Sequence, residues 1–183
     1  MSSLKTTIYT IGHSNLRLDR FIAMLEEAGV STVVDVRSQP YSKYCPYFNK
    51  RELDSALTKS GFRYLFQGNM LGGIPDDESF YDREGHVLYE KIASTRAFQE
   101  AAAYVAQLAK EHPLALMCGE ENPQGCHRHR LLGPVFADLN LEMVHLRKDG
   151  IRVKDCDLDS EPAIEEEEDP RDKTRQLSLF ETI

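Results

Sequence analysis

The most reactive stretch of this 183-residue chain runs from Cys118 to Arg130, with the sequence CGEENPQGCHRHR. Its thirteen residues include two thiols, two imidazoles, two guanidiniums and two carboxylates. An apolar run typical of a buried strand precedes it, and a helical pattern begins at Arg128. A strand, a tight loop and a helix start in this order place backbone N–H groups and the positive end of a helix beside an anion. The stretch therefore predicts a site for an anionic ligand.

The two cysteines of this stretch admit several interpretations. Cys118 ends an apolar strand and fits a packed, inert side chain, whereas Cys126 stands at a helix start beside His127 and Arg128. That position lowers the pKa of a thiol, so Cys126 fits a nucleophile or redox thiol. The glycines and proline between the cysteines also permit a reversible disulfide. A zinc site made by Cys118, Cys126 and a histidine is conceivable, but their spacing matches no common zinc motif, so we predict no resident metal or cofactor.

Polar residues also follow the other predicted strands. Gly12, His13 and Ser14 come after the first strand and form either a simple turn into a helix or part of a site. In the second case His13 is the best-placed general base, because the unperturbed pKa of histidine lies near neutrality. Asp35 and Arg37 share one face of the second strand, so they either pair with each other or let Arg37 clamp a phosphate or carboxylate.

Hydrophobic periodicity predicts alternating strands and helices. The predicted strands are residues 6–11, 31–36, 62–66, 114–118 and 142–147, and the predicted helices are residues 18–28, 49–59, 94–112 and 128–139. The first strand, helix and strand follow one another within about 30 residues, which predicts a parallel pair with a right-handed crossover. Gly133 and Pro134 should kink the last helix. The pattern indicates an α/β fold with a mostly parallel sheet of about five strands.

The carboxyl ends of parallel strands share one edge of a sheet, and ligands of open α/β sheets bind at that edge. We therefore expect the polar residues that follow the strands to meet in one cleft. The expected catalytic residues are His13, Glu120, Cys126 and Cys118. The expected ligand contacts are Gly12, Ser14, Asp35, Arg37, Ser42, Gly72, Gly73, His127 and Arg128.

The net charge of −8 is unevenly distributed. Residues 155–183 carry eleven acidic and three basic residues, whereas residues 1–154 carry nineteen of each. We expect an α/β domain over residues 1–154 and a disordered acidic tail over residues 155–183. The neutral body argues against broad binding of duplex DNA. Since no apolar run is long enough for a membrane span and no signal peptide is recognisable, we expect a cytoplasmic protein. Its cysteines should then be free, catalytic or metal-binding and not part of a disulfide framework.

Four motifs, taken in chain order, resemble those of the bacterial and archaeal family called domain of unknown function 488. They are Ile11-Gly12-His13-Ser14, Asp35-Val36-Arg37 followed by Pro40 and Ser42, Leu71-Gly72-Gly73, and Cys118-Gly119-Glu120 followed by Cys126-His127-Arg128. The resemblance runs from about residue 8 to residue 147. It implies a compact, Rossmann-like, three-layer α/β fold and carries no activity with it.

The end of the tail resembles the pentapeptide by which bacterial polymerases and repair proteins bind the DNA sliding clamp. The residues of this segment are Gln176, Leu177, Ser178, Leu179 and Phe180. A flexible acidic tether would present Leu179 and Phe180 to an apolar pocket, while Gln176 supplies directional hydrogen bonds. The alternative is a segment that folds back onto its own domain. The resemblance implies the sliding clamp as a partner, through Gln176, Leu177, Leu179 and Phe180.

Taken together, these features predict an enzyme that acts on a phosphate-bearing substrate, a nucleotide or single-stranded nucleic acid, in DNA maintenance. Arg37 and Arg128 would hold the phosphate, and the clamp would recruit the protein through its tail. Two alternatives are a thiol-based redox or sulfur-handling protein that uses Cys118 and Cys126, and a non-catalytic adaptor that binds a nucleotide.

Overall fold

The computed structural model describes residues 5–160, which form a six-stranded sheet. The strands are β1 (Thr6–Gly12), β2 (Thr32–Asp35), β3 (Arg63–Phe66), β4 (Leu114–Cys118), β5 (Leu141–Leu146) and β6 (Arg152–Lys154). Their order is β3-β2-β4-β1-β5-β6. All neighbouring pairs are parallel except β5 and β6, which are antiparallel. The prediction of about five strands missed β6, because three residues are too few to show a periodicity.

Helices cover both faces of this sheet. They are α1 (Leu18–Glu27), α2 (Lys50–Lys59), α3 (Gly68–Leu71), α4 (Tyr89–Ala93), α5 (Arg96–Glu111) and α6 (Gly133–Asp138). One apolar cluster joins a face of the sheet to α5 and α6, and a second joins the other face to α1 and α2. The arrangement is a Rossmann-like, three-layer α/β fold, as predicted. Every helix of the described range is too short or too polar to cross a bilayer.

The first β-α-β unit differs from its prediction in one respect. β1 and β2 run in the same direction, but each pairs with β4, which lies between them. A short connection fixes the relative direction of two strands, while adjacency depends on whether a later strand can enter between them. β4 enters because all five of its residues are apolar or small and are buried on both faces.

Alternation along the strands divides the carboxyl edge of the sheet into two sides. Cys118 has the same parity as Leu114 and Leu116, which pack with α5 and α6. Asp35 has the same parity as Val33, which packs with α1 and α2. The polar residues at the ends of β4 and β2 therefore project to opposite sides of the same edge, and not into the single cleft that the sequence predicted.

The predicted helix 128–139 is divided into two parts. Residues Arg128–Leu132 form a π-helical turn, and α6 begins at Gly133. Pro134 lacks the N–H group that would bond the carbonyl of Arg130 in a regular helix, so the chain widens here. The wide turn buries Arg128 completely.

The segment after β6 packs against the domain. Residues Asp155–Ser160 form a 3-10 helix, and Leu158 is fully buried. Asp155 accepts hydrogen bonds from His129 Nδ1 and His145 Nε2 at 2.8 and 2.9 Å. The first six residues of the acidic segment are therefore tied to β5 and to the π-helical turn.

Candidate functional site

Four residues at the ends of β4 and of the loop that follows it form a buried group, called here the thiol cluster: Cys118, Cys126, His127 and Arg128. The Sγ atoms of Cys118 and Cys126 lie 3.5 Å apart. The Nδ1 atom of His127 lies 3.8 Å from the Cys118 sulfur and 3.7 Å from the Cys126 sulfur. All four residues are buried, and Cys118 retains 6% of its surface. The structure brings these four residues of the predicted site together.

Arg128 is fully buried, and its guanidinium is bonded within the protein. Its Nε atom donates to the Cys126 sulfur at 3.2 Å, and Nη1 donates to the Thr10 hydroxyl at 3.2 Å. Its Nη2 atom donates to the backbone carbonyls of Glu120 and Glu121. Arg128, which was predicted to hold a phosphate group, is therefore bonded to a sulfur atom, a hydroxyl and two carbonyls of the protein.

The first of the two thiol protons is lost more easily than the second, because the two sulfur atoms are neighbours. A hydrogen bond from the Cys126 thiol, opposed by burial and helped by the charge of Arg128, lowers the pKa of Cys118 to about 7. Burial and the neighbouring Cys118 sulfur raise the pKa of Cys126. These opposite shifts favour Cys118 over Cys126 as the sulfur that ionises first.

Glu120 lies at the rim of this cluster. Burial of its carboxyl group, followed by the neighbouring Cys126 sulfur, raises the pKa of Glu120. The residue as a whole is nevertheless exposed. Solvent therefore screens the outer side of its carboxyl group. A carboxyl group that holds its proton more tightly than usual can donate as well as accept a proton beside the thiols.

The two ring nitrogens of His127 have different surroundings. While Nδ1 faces the two sulfurs, Nε2 is buried and makes no hydrogen bond within the described residues. Gly73 packs directly over this ring, since a Cβ atom at Gly73 would lie 2.5 Å from the His127 Cβ. A buried nitrogen without a hydrogen bond is uncommon and costs free energy. The ring is held in place by its packing against Gly73 and by the contacts of Nδ1 with the two sulfur atoms.

A second group, the aspartate–arginine cluster, lies on the α1/α2 side of the edge and contains His13, Asp35, Arg37 and Tyr64. Arg37 forms a bidentate ion pair with Asp35, with Nε–Oδ1 and Nη2–Oδ2 distances of 2.9 and 2.6 Å. The Tyr64 hydroxyl donates to the same carboxylate at 2.7 Å. Arg37 Nη2 also donates to the carbonyl of Phe48 at 2.8 Å. Of the two interpretations of Asp35 and Arg37, the geometry fits the internal pair.

His13 is neutral at pH 7 in this arrangement. Its Nδ1–H donates to the Ser14 carbonyl at 2.9 Å, and its Nε2 atom accepts from Arg37 Nη1 at 3.2 Å. Burial, and then the charge of Arg37, lower the pKa of His13 to about 4. The ring also stacks on Phe48, with centroids 4.3 Å apart. Because both nitrogens are bonded, His13 can act as a base only after Arg37 moves away.

Glycines bring the loops of the two clusters together. A Cβ atom at Gly12 would lie 1.7 Å from the carbonyl oxygen of Glu120, so only glycine fits beside this loop. A Cβ atom at Gly72 would lie 2.3 Å from the Ser38 hydroxyl. The N–H of His13 donates to the Cys118 carbonyl at 3.0 Å, which connects the clusters through the backbone.

Two further predicted residues lie in turns. The N–H of Ser14 donates to the Gly119 carbonyl at 2.8 Å, and its φ angle is +39°. The Ser42 hydroxyl accepts from the N–H of Cys45 at 3.0 Å and so shapes the loop after β2. The predicted partner-binding residues 176–180 lie outside the described residues.

The sequence of the chain matches a protein-family model. The family is described as Domain of unknown function DUF488, and the match covers residues 17–133, more than half of the chain. The chain belongs to this family. No curated protein and no solved structure gives a significant match. The DUF488 match includes the aspartate–arginine pair and the whole thiol cluster, and it begins after β1.

Three polar residues that the sequence analysis overlooked support the thiol cluster of this DUF488 protein. Thr10 and His145 are register partners in β1 and β5, and the Thr10 hydroxyl lies 2.6 Å from His145 Nδ1. His145 Nε2 donates to Asp155, so a line of hydrogen bonds runs from Arg128 through Thr10 and His145 to Asp155. The sequence feature that could have revealed them is a polar residue within each of two apolar strands, since buried polar groups need hydrogen-bond partners.

A cavity of about 340 Å³ lies at the opposite, amino-terminal edge of the sheet. It is lined by the start of β1, by the end of α5 and by the two residues between α5 and β4, and its lining includes Thr7, Lys110 and Pro113. None of the predicted site residues lines it. Since this cavity is lined by none of these residues, the thiol cluster is the stronger candidate for the functional site.

Proposed function

We propose that this protein is a thiol-based redox protein in which Cys118 and Cys126 alternate between a dithiol and a disulfide. The observation that carries the proposal is the 3.5 Å separation of their sulfur atoms. Two thiols this close, on a strand end and a loop, need only a small movement to reach the disulfide bond length of about 2.05 Å. The proposal develops the thiol interpretation of the sequence.

The reaction follows from the different surroundings of the two sulfurs. The Cys118 thiolate, on the less buried residue, attacks one sulfur of a substrate disulfide and releases the other as a thiolate. Cys126 then gives up its proton to that thiolate and attacks the Cys118 sulfur. The mixed disulfide breaks, and the second substrate sulfur leaves as a thiolate that takes up a proton from solvent. The substrate disulfide is thereby reduced by two electrons, and the protein dithiol becomes a disulfide.

The surrounding residues support this step. Arg128 donates to the Cys126 sulfur, and this bond stabilises negative charge as it forms there. His127 Nδ1 lies within 4 Å of both sulfurs and can carry the proton that leaves Cys126. A phosphate-bearing substrate is less well supported, because the guanidiniums of Arg37 and Arg128 are buried and bonded to protein acceptors.

The test is to incubate the reduced, metal-free protein with glutathione disulfide, block the remaining thiols and determine the cysteine pairing by mass spectrometry. We expect a Cys118–Cys126 disulfide and free thiols at Cys45 and Cys156, which are the other two cysteines of the chain. Cys118→Ser and Cys126→Ser should each abolish the internal disulfide. Cys45→Ser, a matched control at another buried cysteine, should leave it intact. Recovery of four free thiols from the wild-type protein would overturn the proposal.

A further inference from the structure

The thiol cluster has a donor set that suits a metal ion. Cys118, Cys126 and His127 each offer one ligand atom, and these atoms lie within 4.8 Å of one another. Two sulfurs and one imidazole nitrogen are soft or borderline donors, which favour Zn²⁺ over Mg²⁺ or Ca²⁺. We propose that the reduced protein binds one Zn²⁺ ion through Cys118 Sγ, Cys126 Sγ and His127 Nδ1.

The distances between the donors match those around tetrahedral zinc. Zn–S bonds of about 2.3 Å and Zn–N bonds of about 2.0–2.1 Å require a sulfur–sulfur edge of roughly 3.8 Å and sulfur–nitrogen edges of roughly 3.6 Å. The observed edges are 3.5 Å between the sulfurs and 3.8 and 3.7 Å from sulfur to nitrogen. Movements of a few tenths of an ångström would therefore place an ion at bonding distance from all three atoms.

The position of the His127 ring provides an independent reason. Its Nδ1 atom faces the sulfurs, while Nε2 is buried without a partner in the described part of the chain. Gly73 holds the ring in this orientation by packing against its Cβ. A ring whose orientation is fixed by packing, with one nitrogen directed at two thiols, is preorganised as a ligand.

The charges around the cluster allow an ion to enter. Binding converts two thiols into two thiolates, whose charge balances that of Zn²⁺, and releases up to two protons. The Arg128 cation lies beside the site and opposes a second cation, but its N–H···S bond to Cys126 stabilises the thiolate that coordinates the ion. Glu120 adds a carboxyl group next to the Cys126 sulfur.

Three protein ligands leave one tetrahedral position for another group. Zinc sites with three protein ligands and one open position are typical of catalytic zinc, whereas structural sites have four protein ligands. Glu120, whose carboxyl group lies next to the Cys126 sulfur, could orient a water molecule in this position. The inference goes beyond the proposed redox function, because metal binding needs only the reduced sulfurs, while the disulfide would exclude the metal.

The experiment measures zinc binding by the full-length, reduced protein in competition with a chromogenic chelator. We expect one Zn²⁺ per chain, with affinity falling by at least about 100-fold in Cys126→Ser and in His127→Ala. Cobalt substitution should give a sulfur-to-metal charge-transfer band that is weaker in Cys118→Ser and absent from the double variant Cys118→Ser/Cys126→Ser. Cys45→Ser and Asp82→Asn are the controls. The latter removes a member of an exposed Asp82, Glu84 and His86 cluster, and neither control should change the affinity.

A second test uses only the wild-type protein, so its result does not depend on whether the variants fold. Oxidation of the wild-type protein to the Cys118–Cys126 disulfide should abolish zinc binding, and reduction should restore it. If the reduced wild-type protein binds no zinc, or if Asp82→Asn rather than Cys126→Ser removes binding, the metal site is excluded. Disulfide formation is assayed without metal, so either proposal can fail while the other stands.

Discussion

Arg128 donates a hydrogen bond from its Nε atom to the Sγ atom of Cys126 across 3.2 Å, in a fully buried part of the protein. The arginine that the sequence assigned to a phosphate group thus serves a sulfur atom. Its other donors hold the carbonyls of Glu120 and Glu121 and the hydroxyl of Thr10. One side chain therefore fixes the loop, the strand and the electrostatics of the thiol cluster.

Replacement of Arg128 by methionine should destabilise the protein strongly. The change leaves two backbone carbonyls and the Thr10 hydroxyl without their donor, and an unsatisfied buried group costs about 1–3 kcal/mol. We expect the free energy of unfolding, measured in urea, to fall by at least about 3 kcal/mol. Arg130→Met, at an exposed position of the same turn, should change it by less than about 0.5 kcal/mol. Equal effects of the two variants would contradict the central role of Arg128.

Gly12→Ala should displace the loop that carries Glu120. The added Cβ would lie 1.7 Å from the Glu120 carbonyl oxygen, so the loop must move and its bond to Arg128 must lengthen. We expect a loss of about 1–3 kcal/mol in unfolding free energy, together with slower formation of the internal disulfide. Gly125→Ala is the matched control, since a Cβ there meets open space. A Gly12→Ala protein as stable as the control would show that the close approach is unimportant.

Asp35→Asn should destabilise the protein, because it leaves the buried Arg37 without its counter-ion. The carboxylate is fully buried and accepts from Arg37 and Tyr64, so its neutralisation leaves an uncompensated guanidinium. Removal of one partner of a buried ion pair costs about 3–5 kcal/mol, and we expect a loss of that order in urea unfolding. The exposed pair of Arg17 and Asp19 is the comparison, and Asp19→Asn should leave the unfolding midpoint unchanged. A similar midpoint for both variants would argue against a tightly coupled pair.

The stability should decrease below about pH 6.5, in part because of His145. Burial, opposed by Asp155 and reinforced by the charges of Arg128 and His129, lowers the pKa of His145 in the folded state. As the pH falls, the unfolded chain therefore binds a proton at this histidine that the folded chain does not bind. The unfolding free energy then decreases by up to about 1.4 kcal/mol for each unit by which the pH is lowered. Urea unfolding between pH 7.5 and pH 5 measures the slope. The slope should be smaller in His145→Gln, and an unchanged slope would exclude the histidine as its source.

The tail gives a prediction that does not depend on the thiol cluster. A fluorescent peptide of residues 171–183 should bind a bacterial sliding clamp with micromolar affinity, because Leu179 and Phe180 can fill an apolar pocket. Phe180→Ala should abolish binding, and Thr182→Ala, outside the pentapeptide, should preserve it. Equal affinities of the two variant peptides would remove the basis for recruitment to the clamp.

Much of the fold follows from local patterns. The periodicity of residues 6–36 predicted β1, α1 and β2. Gly29, which follows α1, has the positive φ angle that is common just after a helix. The prediction that β1 and β2 pair with each other was wrong. Strand β6 was not predicted. Pairing across a sheet depends on residues far apart in the chain, and a local pattern contains no information on it.

The sequence by itself determined which chemical groups this protein has and that they gather at the carboxyl edge of a parallel sheet, because strand direction and alternation follow from local periodicity. The tertiary structure decided what each group faces. Cys118 and Cys126 lie 3.5 Å apart, Arg37 pairs with Asp35, and Arg128 bonds to a sulfur and to Thr10, 118 residues away in the chain. A guanidinium binds phosphate, carboxylate or thiolate by the same hydrogen bonds, so only the packing of distant segments determines which of these partners it has.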